Sequence, residues 1–324
     1  MSNVKEMRIF AAEQIEVPDE FPGILKNFVK EAIRNQPEEL VSFSRQYFED
    51  LLKARGYFDP PERTKLEFNP KEFYLNHKDN IKDNYQLLEV IGDGALSTVR
   101  RAIHIKSQIT RAVKVVRKED LEFGERRSLL EEIELLKELD HPNICRVIEM
   151  YEDKKKFYFI NEMMYGGALY DSLAKSVGFT EITAVKIIRQ LLSAITYLHS
   201  KNIVHRDIKP QNIHFKSNED LTIKLLDFGS SRRMGENHSM KGVFGTSYYV
   251  APEVIHGEYN EKCDVWSVGI ILYMLMCGEP PFDGRTDVEV LDKIKKGDYA
   301  MTGEAWADVS EEAKDLITKM LQPQ

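Results

Sequence analysis

Apolar residues recur along this chain with a helical spacing near its start, a strand spacing in its middle third and a helical spacing again towards its end. Phe21, Ile24, Leu25, Phe28, Val29, Ala32 and Ile33 recur at three, four, seven and eight, the stripe of one amphipathic helix. Asn35, Gln36 and Pro37 break it, and Pro37 with Glu38 and Glu39 suits the first turn of a second helix. Leu40, Phe43, Tyr47, Phe48, Leu51 and Leu52 share that helix's apolar face until Gly56. A hairpin of about forty residues buries too little of itself to be stable alone, so it needs another surface, which dimerisation supplies most simply.

From Asp59 to Asn84 the chain is polar, carries Pro60, Pro61 and Pro70, and has little period. It reads as a linker, with Phe68, Phe73 and Tyr74 able to pin part of it. Strand signals follow at Tyr85 to Ile91, Thr98 to His104, Thr110 to Val116, Val147 to Tyr151 and Phe157 to Asn161. Between them, Leu129 to Leu139 reads as a helix that turns Ile133, Leu136 and Leu139 inward. It places Glu132 beside Ile133 and leaves Glu131, Glu134 and Glu138 in solvent. Ala184 to His199 and Asp264 to Cys277 read as long buried helices, and Glu311 to Leu321 as an amphipathic one.

Composition narrows the class. With 324 residues, 42% hydrophobic and 30% charged, the chain is expected to be a soluble globular protein of two or more domains. The longest apolar run, Val265 to Cys277, is interrupted by Ser267 and Gly269 and is too short to span a bilayer. Charges in Met1 to Ala12 exclude a signal peptide there. Cys145, Cys263 and Cys277, odd in number and far apart, predict reduced thiols in a cytoplasmic setting. A formal net charge of -8 argues against nucleic-acid binding, and Lys154, Lys155 and Lys156 read as a solvated hairpin tip.

Candidate chemistry then stands out against this frame. Ile203 to Asn212 places a carboxylate, Asp207, an ammonium, Lys209, and a carboxamide, Asn212, within six residues on a loop stiffened by Pro210. Gly92 and Gly94 let a hairpin backbone approach phosphate oxygens, a weak signal by itself. Lys114 sits in an otherwise apolar strand, where an ammonium is costly unless paired. It calls for a carboxylate, which Glu132 offers, and a phosphate.

His205-Arg206-Asp207 with Asn212, then Asp227-Phe228-Gly229, then Ala251-Pro252-Glu253 follow in order behind Gly92, Gly94, Lys114 and Glu132. From about Tyr85 to its end the chain thus resembles the eukaryotic protein kinase family. His141 to Ile144, Gly245 to Glu253 and Asp264 to Gly269 look most like calcium-dependent protein kinases and their calmodulin-dependent relatives. The resemblance implies an α+β, bilobal fold, with an antiparallel sheet lobe at 85–162 and a mainly helical lobe at 163–324. It implies ATP, Mg2+ and a protein substrate, with Lys209 beside Asp207 favouring serine or threonine. Asp207 would accept or orient the substrate hydroxyl proton and Lys209 would steady the transferring group. Lys114, held by Glu132, would grip the α and β phosphates, and Asn212 and Asp227 would hold magnesium. Ile91, Gly92, Gly94, Val99, Ala112, Lys114 and Glu162 would line the nucleotide site.

This chain departs from the family's pattern in several places. Ser97 takes the third glycine position of the turn. Asn161 stands at the gatekeeper position, and Ala168 and Gln211 stand where relatives carry glutamates that contact ribose or basic substrate residues. Weaker selection for basic substrates is expected. The activation segment between Gly229 and Gly245 offers Ser230, Ser231 and Ser239, with Arg206 placed to receive a phosphate. Competence without one is favoured. After Glu311 to Leu321 the family continues with further helices, including an arginine that pairs with the glutamate here numbered Glu253, so a fragment is expected. No EF-hand calcium loop is encoded in these residues.

Val17-Pro18, Phe21 to Leu25, Arg34 to Leu40, Phe43 and Tyr47-Phe48 resemble the dimerization and docking domain of the type II regulatory subunit of cAMP-dependent protein kinase. That resemblance implies homo- or heterodimerisation of residues 1–58 as a four-helix bundle. Its groove would take an amphipathic helix of an anchoring protein, of the axonemal radial-spoke type, and the setting would be a cilium or flagellum. The alternative is a docking protein whose kinase-like domain is catalytically silent. No membrane or nucleic-acid partner is implied.

Overall fold

The computed structural model describes residues 26–31, 46–48, 50–51, 75–77, 80–94, 97–175, 178–235, 239–242 and 245–323. Two compact units divide the chain, residues 1–69 and 70–324. In the first, 26–31, 46–48 and 50–51 are helical. Rings from the two expected stripes meet, with Phe28 centred 5.4 Å from Tyr47 and 5.2 Å from Phe48. Val29, on the same stripe, is exposed. Val17, Pro18, Phe21, Ile24, Leu25, Ala32, Ile33, Leu40, Phe43 and Leu52 lie outside the described residues, as does the expected linker up to Tyr74.

The second unit begins with a six-stranded sheet made of β1 (Leu75–His77), β2 (Tyr85–Asp93), β3 (Ser97–His104), β4 (Thr110–Arg117), β5 (Val147–Glu152) and β6 (Lys156–Glu162). Its order is β1-β5-β6-β4-β3-β2. Strands β2 to β6 pair antiparallel, as expected, whereas β1 runs parallel to β5 with Leu75 opposite Glu149. The last part of the stretch read as a linker therefore belongs to the sheet, and Ile81 behind it is buried.

Strand alternation sorts the side chains into two layers. Val113, Val115, Tyr158 and Ile160 pack with Ile81, Tyr85, Ala102 and Tyr151 on one face. Val116, Phe157 and Phe159 meet Leu129 and Ile133 of helix α1 (Phe123–Leu136) on the other. Helix α1 starts well before the expected Leu129, where the backbone N–H of Glu122 donates to Glu125 Oε2 at 2.8 Å and closes the first turn.

The helical lobe comprises α2 (Leu169–Lys175), α3 (Glu181–Ser200), α4 (Pro252–His256), α5 (Lys262–Cys277), α6 (Asp287–Lys296) and α7 (Glu311–Met320). Helix α5 is apolar nearly all round and lies in the core. A Cβ on Gly269 would stand 2.9 Å from Met320 Cβ, so the glycine lets α7 approach that closely. Two short strands, β7 (Ile203–Val204) and β8 (Ile213–Phe215), bracket the Asp207 loop, and β9 (Ile223–Leu225) pairs with β8. The connector from β6 is stitched to β8, with Gly166 N donating to Phe215 O at 3.1 Å and Phe215 N to Gly167 O at 2.9 Å. A Cβ at Gly166 would lie 2.4 Å from Ser217 O, so only glycine fits there. No described helix is long and apolar enough to cross a membrane.

Candidate active site

Strand alternation turns Lys114 away from its buried neighbours Val113 and Val115 and towards α1. Its Nζ donates to Glu132 Oε1 at 3.1 Å, and Glu132 is 6% exposed. Burial works against the ammonium, but the charges of Glu132 and Asp227 more than offset it and hold its pKa above the usual lysine value. Gly92 faces Val99 across the β2–β3 ladder, and Gly94 N donates to Ser97 O at 2.9 Å. Ala95 and Leu96, at the tip, lie outside the described residues. Ile91 is exposed, and Ala112 pairs with Asn161 across β4 and β6.

Glu162 is placed differently from the other expected nucleotide contacts. Its Oε1 accepts from the Arg146 backbone N at 2.8 Å and from Lys224 Nζ at 2.6 Å. What Glu162 can offer a nucleotide is therefore main chain. Lys224 sits in the apolar strand β9 and is buried, so this ion pair ties β6 of the sheet lobe to β9 of the helical lobe.

The Asp207 loop brings its expected residues together. Asp207 Oδ2 accepts from Lys209 Nζ at 2.7 Å and from Asn212 Nδ2 at 3.1 Å. Thr246 Oγ1 donates to Asp207 Oδ1 at 3.1 Å and lies 3.1 Å from Lys209 Nζ. Three donors thus aim one carboxylate. The loop itself is held from behind by Asp264, which is 1% exposed. Its Oδ2 accepts from His205 N and His199 Nε2 at 2.9 Å each, and its Oδ1 accepts from Arg206 N at 2.9 Å. Arg206 has a φ of 67°, a conformation unfavourable for a non-glycine residue that these bonds stabilise.

His205 is fully buried, and burial pushes its pKa down, so the imidazole is neutral. Nε2 then donates to Leu226 O at 3.2 Å, leaving Nδ1 to accept from Asp207 N at 3.4 Å. The ring packs edge-on against Phe228 at 4.9 Å, which seats the turn that carries Asp227. Asp227 adopts a φ of 60°, with Oδ1 accepting from Gly229 N at 3.3 Å.

Among the described residues no cluster of three or more histidine, cysteine, aspartate or glutamate side chains could hold a metal. Magnesium asks for less, keeping waters and taking one or two protein oxygens together with substrate phosphates. Asn212 commits its Nδ2 to Asp207, which leaves Oδ1 as its ligand-capable oxygen, and Asp227 is exposed. Those hard oxygens fit magnesium.

The departures also lie at this edge. Ala168 forms an isolated bridge with His214. Gln211 is exposed and hydrogen-bonds the Tyr249 hydroxyl, whose pKa burial pushes up to about 12. Neither position supplies a carboxylate.

Burial depresses the pKa values of His141, His205 and His214. The unfolded chain therefore takes up protons below about pH 6.5 that the folded chain refuses. This contribution is full above that pH and is lost as pH falls towards the lower native values. The melting temperature is expected to drop between about pH 7.5 and about pH 5.5, and a flat profile would contradict the assignment.

Lys224 escaped the sequence reading although it carried the same signal as Lys114, a cation inside an apolar strand. Asp264 and Thr246 lay within the motifs Asp264 to Gly269 and Gly245 to Glu253 but received no role, because their ties to His205, Arg206 and Asp207 exist only in the fold.

The chain belongs to the protein kinase domain family, whose model matches residues 85–324. A second family model, the Ropporin N-terminal domain, matches residues 1–55. The chain is 37% identical over 302 residues to calcium-dependent protein kinase 5 of Plasmodium falciparum, covering 89% of this chain and 53% of that one. It is 40% identical over 278 residues to calcium-dependent protein kinase 4 of Plasmodium berghei, covering 83% and 53%. The chain thus spans about half the length of the curated relatives it matches.

Proposed function

We propose that this protein is a serine/threonine protein kinase that transfers the terminal phosphoryl group of ATP, with magnesium, to a protein hydroxyl. The observation that carries the reading is the Asp207 carboxylate aimed by Lys209, Asn212 and Thr246, with the Lys114–Glu132 pair completed on the other lobe. Asp207 orients the incoming hydroxyl and takes its proton as the bond to the terminal phosphorus forms and the bond from that phosphorus to the bridging oxygen breaks, releasing ADP. Lys209 neutralises charge building on the transferring group, and Lys114 binds the phosphates that stay behind. Asn212 and Asp227 would hold magnesium, which would supply positive charge to the phosphate oxygens. The silent-scaffold alternative has no missing catalytic group to support it.

With neutral residues at Ala168 and Gln211, the substrate groove should not select arginine upstream of the target. A peptide array with the full chain is expected to show phosphorylated serine and threonine without such a requirement. Incorporation on tyrosine alone would overturn the residue class, and an obligatory upstream arginine would overturn the groove reading.

The same proposal gives residues 1–58 a dimerising, docking role, with 59–74 as the connector and an amphipathic anchoring helix as partner. Support comes from the Ropporin-type match and the Phe28–Tyr47–Phe48 contact, with Val29 left exposed on that stripe. An axonemal or flagellar setting follows from the module's resemblance. Size measurement is expected to find a dimer that binds an amphipathic helical peptide and becomes monomeric once residues 1–58 are deleted. A monomeric full chain indifferent to the peptide would refute docking.

A further inference from the structure

Glu131 and Glu138, expected in solvent, are instead engaged by two arginines that follow the Asp227 turn. Arg232 and Arg233 form the short strand β10, which pairs antiparallel with β7, Arg232 opposite Val204 and Arg233 opposite Ile203. It is thereby fastened to the segment that runs straight into His205 and Asp207. From there Arg232 Nε lies 3.3 Å from Glu131 Oε2, the carboxylate whose Oε1 accepts from Arg127 Nε at 3.0 Å, and Arg232 Nη2 donates to Ser128 Oγ at 3.0 Å. Its Nη1 donates to the carbonyls of Ser231 at 2.7 Å and Gly229 at 3.4 Å. Arg233 pairs with Glu138 and donates to Lys201 O at 3.2 Å. Helix α1 is therefore held at 128 and 131, and the turn that follows it at 138.

Among the described residues of the activation segment no comparable phosphate-dependent grip is formed. Ser239 donates its hydroxyl to Glu258 Oε1 at 3.0 Å, so a phosphate there would face a carboxylate. Arg206, the expected phosphate receiver, donates to Ser230 O at 2.6 Å and to the Tyr259 hydroxyl at 3.1 Å. An isolated, half-exposed ion pair contributes little. Arg232 differs because its planar fork is already fixed by two main-chain carbonyls, so little further side-chain freedom is lost when it meets Glu131 and Ser128.

We infer that Arg232 is a positioning residue: fastened beside the catalytic loop, ion-paired with Glu131 and hydrogen-bonded to Ser128, it holds α1 so that Glu132 stays on Lys114 without a phosphate in the activation segment. The inference rests on the kinase reading for its catalytic consequence, but the clamp itself is structural and can be read separately. The full chain, treated with phosphatase, is compared with Arg232→Met, Glu131→Gln, the double variant, and the charge-swapped pair Arg232→Glu with Glu131→Arg. Each single variant is expected to lower kcat/KM for ATP by about tenfold, the double variant no further, and the swap is expected to recover most of the loss. Hydrogen exchange of residues 123–136 should accelerate in Arg232→Met. Additive losses, an activity of Arg232→Met within about twofold of the parent, or a parent inactivated by phosphatase would each overturn the clamp. If the parent transfers no phosphate at all, the kinase reading fails, and exchange still decides. Faster exchange then supports the clamp, and unchanged exchange overturns it.

Discussion

Asp207→Asn is expected to lower the rate of phosphoryl transfer by about 10³ to 10⁴ while leaving ATP affinity nearly unchanged. Asp207 Oδ2 accepts from both Lys209 and Asn212, and Oδ1 accepts from Thr246. A carboxamide has the same shape but one acceptor oxygen, so one of its edges would point an N–H at an existing donor. It also has no basicity towards the substrate hydroxyl. Single-turnover kinetics with magnesium ATP would read the rate, and equilibrium titration the affinity. Weakened ATP binding with an intact rate would contradict the assigned role.

Asp264→Ala is the second large effect, and it acts through folding. The carboxylate is buried at 1% exposure and satisfies the backbone N–H groups of His205 and Arg206 as well as the His199 ring. Its removal leaves buried donors unsatisfied and frees Arg206 from the bond that stabilises its positive φ. A destabilisation of about 3–5 kcal/mol is expected, with a melting temperature lower by roughly 10 °C. Asp264→Asn, which keeps one acceptor, should lose less. Denaturant unfolding decides the matter, and a loss below about 1 kcal/mol would show that the loop is held by other contacts.

Much of this was legible in the sequence where the signal was local. The strands β2 to β6 were found to within two residues at either end because period-2 alternation is written within each run. Glu132 was chosen as the partner of Lys114 by a cost argument about a cation in an apolar strand, and the fold brings the two to 3.1 Å. Strand β1 was missed because its three residues acquire meaning only by pairing with β5, as in Leu75 opposite Glu149. The start of α1 was hidden by Gly124 and the charged run Glu125 to Arg127. Glu131 was read as a solvated face; it keeps Arg127 one turn back, at 3.0 Å, and gains Arg232, which is distant in sequence. The pairing of the Glu162 carboxylate with Lys224 was not legible either, because the two are distant in sequence.

Phosphoryl transfer by the full chain is the most direct test of the Asp207 site. Incubated with ATP labelled at its terminal phosphate and a mixed protein substrate, it should place label on serine and threonine when magnesium is present and none when magnesium is chelated. Absence of incorporation in both conditions, or equal incorporation by the parent and Asp207→Asn, would contradict the assignment of that site.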